Sequence, residues 1–182
     1  MHAAYLTDIG RTFRNYRSLA ERALAQVDDG AFVQVTGAED NSLAVIVQHI
    51  AGNLRSRFTD FLTSDGEKPD RNRDAEFEQP ETGDRAALMA AWHDAWTIVL
   101  SQIDALTPAD LERTVHIRKE PFLVVEALNR SATHTAYHVG QIVFLARHLA
   151  GGGFTSLSIP KGKSAEFGFG TFKQGIVPTP KA

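Results

Sequence analysis

Four long stretches of this chain repeat apolar residues every three or four positions, and that period leaves few folds open. In the first, about residues 3–27, Leu6, Ile9, Phe13, Tyr16, Leu19 and Leu24 fall on one stripe of a helix. The second opens at Asn41 or Ser42, both good helix caps, and carries Leu43, Ile46, Ile50, Leu54, Phe58 and Phe61 to an end near residues 63–66. The third starts near Asp84, which can cap it, and carries Leu88, Trp92, Trp96, Val99 and Ile103 to about Leu106. The fourth starts at Pro121 or Phe122 and runs through Leu128, Ala132, Val139, Ile142 and Leu149 to Ala150, where Gly151-Gly152-Gly153 ends it. Four amphipathic helices joined by polar connectors predict an all-α bundle.

The connectors are uneven. Residues 32–36 read as a short extended link. Residues 65–83 form a long polar connection without periodicity, a length that is usually functional or disordered. Thr107-Pro108-Ala109-Asp110 reads as a fresh cap with proline at the first helical position, and residues 115–118 as briefly extended. Residues 151–182 make a tail rich in Gly, Pro and Lys. It also holds Phe154, Leu157, Ile159, Phe167, Phe169, Phe172 and Ile176, too many apolar groups for a disordered segment. The expected organisation is a helical domain over 1–150 and an ordered tail over 151–182, packed on the bundle or on a partner subunit.

Charge and composition exclude several classes. A formal net charge of -3 over 182 residues offers no general field for nucleic acid or an anionic membrane. Arg11, Arg14, Arg17 and Arg22 read as a solvated basic helix face. The absence of Cys removes disulfides, thiolate ligands and a Cys nucleophile together. No apolar run approaches the ~18 residues of a membrane span, and no signal-peptide core follows Met1. A cytoplasmic protein is expected, with neither nucleic acid nor membrane as partner.

The histidines carry the chemistry. His134 and His138 are four apart, which on a helix stacks both rings on one face about 6 Å apart along the axis. That pair suits two imidazoles closing on one ion, and equally suits two helix residues of which one is partly buried and hydrogen-bonded. His49, on the edge of the second helix's stripe, points toward the bundle and is the natural third ligand. Thr135 follows His134, so the pair is not a zinc-protease motif.

Several strings are shared with a known group. They are residues 49–58 (HIAGNLRSRF), 60–68 (DFLTSDGEK), 71–77 (RNRDAEF) and 134–142 (HTAYHVGQI). On these the chain resembles the DinB-like (YfiT-like) superfamily of bacterial four-helix metalloproteins, in an uncharacterised branch. The resemblance spans nearly the whole chain. It implies an up-down-down-up four-helix bundle and a homodimer. It also implies a divalent metal ion, zinc or nickel, held by residues matching His49, His134 and His138. Characterised members of the superfamily include thiol transferases and thiol-dependent isomerases.

Three neutral imidazoles would leave such an ion its full charge and an open position, the pattern of catalytic sites. With no Cys in the chain, a thiol would come from a low-molecular-weight cosubstrate. Asn53, Arg57, Tyr137 and Gln141 lie near a ligand by helical spacing and are candidates to orient it. Arg71 and Arg73, in the long connection, are candidates to bind a substrate carboxylate. Each also reads as a solvated or capping residue. Two functions follow: a metal-dependent transferase or hydrolase on a small molecule, or a non-catalytic dimeric module with a structural ion.

Overall fold

The computed structural model describes residues 1–166, so the expectations for Phe167, Phe169, Phe172 and Ile176 lie outside the described residues. The helices are α1 (His2–Leu24), a short α2 (Asp29–Val33), α3 (Leu43–Phe58), α4 (Arg85–Ala105) and α5 (Val124–Ala150). α3 packs along α4 and α1 along α5, while α1 also meets α4 and α3 meets α5. Phe13, Phe32, Phe58, Trp92 and Trp96 are at most 1% exposed at the centre. Full burial of each such phenylalanine stabilises by ~1.5–3 kcal/mol. Phe13 meets Phe58 edge-on with centroids 5.8 Å apart, and Trp96 at 6.3 Å. Among the described residues no helix is long and apolar enough to cross a membrane.

The expected caps act at two ends. Ser42 Oγ accepts from the Val45 N–H at 3.2 Å and starts α3. Gly151 takes φ 57° and stops α5. Asp84 does not cap α4 with its side chain, because its Oδ2 accepts from the Glu81 N–H at 2.9 Å. Pro108–Glu112 forms a 3-10 turn, with Asp110 Oδ2 accepting from the Thr107 N–H at 2.9 Å and hydroxyl at 2.7 Å.

Other segments correct the sequence reading. The link at 32–36 does not begin extended. Asp28 Oδ1 accepts from the Ala31 N–H at 2.7 Å and nucleates α2, which buries Phe32. The second helix stops at Phe58, short of 63–66, and Asp60 turns left-handed at φ 49°. Phe61 stays buried all the same, its ring 5.1 Å from Phe58. The largest departure precedes α5. Pro121 and Phe122, expected to open that helix, instead lie in β2 (Glu120–Leu123), which pairs antiparallel with β1 (Thr114–Ile117), the stretch expected to be extended, with Val115 opposite Phe122. The described residues are therefore mostly helical with one two-stranded sheet, and strictly all-α is too simple.

The hairpin turn explains how the long connection is ordered. Arg118 and Lys119 have φ 56° and 67°, a turn that ordinarily selects Asn and Gly. Asp65 holds it from outside. Its Oδ1 accepts from the Arg118 N–H at 2.9 Å and its Oδ2 from the Lys119 N–H at 2.7 Å. The Glu67 N–H, at 2.7 Å from Oδ1, does most to hold the Asp65 carboxyl below its ordinary range, and these two bonds add to it. The Gly66 N–H donates to the His116 carbonyl at 2.8 Å. At the other end of the chain, Leu157 is 5% exposed against the core.

Candidate metal centre

α3 meets α5 where His49 faces His134 and His138. Each ring offers one nitrogen, and the three nitrogens lie within 4.8 Å of one another. His49 Nε2 and His134 Nε2 are 3.3 Å apart. Two donors ~2.0–2.1 Å from one tetrahedral ion are separated by about 3.3–3.4 Å, so this spacing is that of a coordination edge.

The other ring nitrogens of His49 and His138 are committed, which fixes those two tautomers. His49 Nδ1 donates to Glu76 Oε2 at 2.9 Å, leaving the Nε2 lone pair for the cluster. His138 Nδ1 donates to Gln141 Oε1 at 2.7 Å, with the same result. Glu76 is itself held by Arg71, Nε on Oε1 at 2.7 Å and an Nη2 bond to Oε2 at 2.8 Å. Burial pushes the Glu76 carboxyl up, but the bonds from Arg71 and His49 outweigh it and keep it below the carboxylate range. Gly52 makes room for this approach, since a Cβ there would lie 2.8 Å from Glu76 Cδ.

Burial favours the neutral ring at His134 and His138. Burial lowers the His134 imidazole to about 4, and His138, His49, Arg57 and Arg71 push the same way. Burial also lowers His138, against the Gln141 bond. Metal ligation needs the neutral form. Three convergent ring nitrogens, with His134 and His138 disposed to the neutral form, therefore fit a divalent cation.

A cavity of about 530 Å³ opens beside His49 and His134. Asn53, Arg57, Arg71 and Arg73 line it as well; Tyr137 and Gln141 do not. Asn53 is 9% exposed, and its amide has no hydrogen bond among the described residues. Arg57 pairs with Glu67 at 2.8 Å and also donates to the Gly66 carbonyl. Arg71 is only 4% exposed and engaged by Glu76 and Glu67, so it orients a histidine's partner instead of facing a substrate freely. Arg73 stands over the Phe77 ring at 5.5 Å. Tyr137 is 64% exposed with its ring 4.9 Å from His138.

Sequence reasoning missed Glu76, Arg118, Arg130 and Ser131. Ser131 and Arg130 precede His134 by three and four residues, so helical spacing marks them. Glu76 and Arg118 carry no local signal.

The fold and the cluster define a mostly helical protein with a three-histidine site at the edge of an arginine-lined cavity. A family model described as a protein of unknown function, DUF1572, matches residues 1–163, and the chain belongs to that family. No curated protein matches the chain.

Proposed function

We propose that His49, His134 and His138 hold one divalent metal ion, zinc or nickel, and that the protein is an enzyme acting on a small molecule. The observation that carries this reading is the cavity: about 530 Å³ of space reaches two of the three histidines, and an ion with a purely structural task needs none. Such an ion supplies Lewis acidity, acidifying a thiol or water or polarising a carbonyl. The chain's own residues do the rest. Arg71 holds Glu76, Glu76 holds the His49 tautomer, and Gln141 holds that of His138. Asn53 offers the cavity an amide whose donor and acceptor have no partner among the described residues.

The DinB-like resemblance favours thiol transfer, with hydrolysis next, and a thiol cosubstrate, as the chain has no Cys. The same resemblance supports reading the four long helices as an up-down-down-up bundle and the chain as a homodimer, while the Cys-free composition supports a cytoplasmic location and the apolar residues of 151–182 a tail packed on either subunit. One observation favours a non-catalytic module instead: Glu76 is locked between Arg71 and His49 and is not free to act as a base.

Protein purified without an affinity tag should contain stoichiometric metal by elemental analysis, and the His134→Ala/His138→Ala variant should lose it while keeping its helical circular dichroism. Full occupancy in that variant sinks the site. Metal-loaded protein that turns over neither electrophile–thiol pairs nor simple esters sinks the enzyme reading.

A further inference from the structure

Five arginines line the cavity: Arg57, Arg71, Arg73, Arg118 and Arg130. Among the described residues their side-chain ion pairs reach only two carboxylates. Arg57, Arg71 and Arg118 share Glu67 at 2.8, 3.4 and 3.2 Å, and Arg71 also holds Glu76. Arg73 and Arg130 have no carboxylate partner among the described residues, and lie over Phe77 and Phe122 at 5.5 and 5.9 Å. The wall thus carries an excess of three positive charges in a chain whose net charge is -3. Guanidiniums crowded on one carboxylate repel each other. Burial first, and Arg71 and Arg118 after it, work against the charge on Arg57. An arriving anion relieves that repulsion.

A second observation is independent of charge. Ser131, 6% exposed, lines the same cavity with its Oγ buried and unpaired. Asn53, 9% exposed, lines the cavity too, and its amide makes no hydrogen bond among the described residues. Buried polar groups are normally bonded, and an unpaired one on a residue that lines a cavity is matched to a ligand that brings its partner.

We propose that this wall is an anion subsite: Arg73, Arg118 and Arg130 bind a phosphate or carboxylate group of the substrate, and Asn53 and Ser131 bond the portion between that group and the histidines. The substrate is then a small acid, not a neutral or cationic electrophile. The guanidinium fork fits either oxyanion. The direction of the ligand rests on the proposed metal site, but capture of the anion does not.

Calorimetric titration with inorganic phosphate, succinate and neutral succinamide tests it, at constant ionic strength, on metal-loaded and chelator-treated protein. Saturable binding of phosphate or succinate is expected in both preparations, and the tighter of the two names the group. Arg73→Gln/Arg130→Gln should weaken it by roughly tenfold or more with metal content unchanged. Both arginines are exposed, so the variant keeps its fold. Equal binding of succinamide, undiminished affinity in the double variant, or binding seen only with metal present would overturn the subsite. Failure of the histidines to hold metal leaves this readout intact.

Discussion

Glu76 Oε2 sits 2.9 Å from His49 Nδ1, and this one contact decides which nitrogen of His49 faces the other two histidines. The Arg71 fork behind it makes a three-residue relay from the long connection to the ring.

Replacing Glu76 removes the carboxylate that holds His49 Nδ1 and leaves buried Arg71 with one charged partner fewer. Glu76→Gln should lower metal affinity by about 10–100-fold, read by competition with a chromogenic chelator. Glu76→Ala should in addition destabilise by ~3–5 kcal/mol in urea, the cost of breaking a buried pair on one side.

Gly52→Ala should destabilise although alanine is the better helix former by ~1 kcal/mol. The new methyl group collides with a carboxylate that Arg71 and His49 hold in place. A net loss of ~1–3 kcal/mol by urea denaturation is expected, with reduced metal occupancy. A stabilised variant with full metal would mean that Glu76 can move aside.

The metal-free protein should lose stability as pH falls from about 6.5 toward 4. In that window the unfolded chain protonates the His134 ring, whose folded value is lowered to about 4 by burial, while the folded site refuses the proton. Stability therefore rises with pH across the window, and the slope should shrink in His134→Ala under chelator. The same resistance to protons places metal loss below the pH of about 6 expected for an ordinary imidazole. Elemental analysis after dialysis at successive pH values checks it.

Asp65→Ala should cost ~1–2 kcal/mol, because three backbone N–H groups lose a charged acceptor and two residues keep positive φ without support. Arg118→Asn with Lys119→Gly should restore most of it, since those residues take the turn unaided. Failure of the rescue would place the cost elsewhere than the turn.

What was legible in the sequence followed from local period. Phe13, Leu54, Trp96 and Ile142 mark helix faces because each has apolar neighbours one turn away, and all four are buried. The His134/His138 pair was legible for the same reason. His49 stands 85 positions from His134, so spacing alone only hinted at it and the family resemblance supplied the rest. Glu76 was invisible because its partner is 27 residues away and its surroundings are polar. The extended stretch at 115–118 was legible, but the turn and the second strand were missed because Arg118-Lys119 carries no turn signal; the signal is Asp65, 53 positions earlier.

The stretch from Asp65 to Glu76 grips the hairpin at one end and a histidine at the other. Most surface connections accept insertions freely. This one works as a ruler: one residue added or removed between those two acids would misplace either the cavity wall or the ring, so its length is under a constraint that its polar composition conceals.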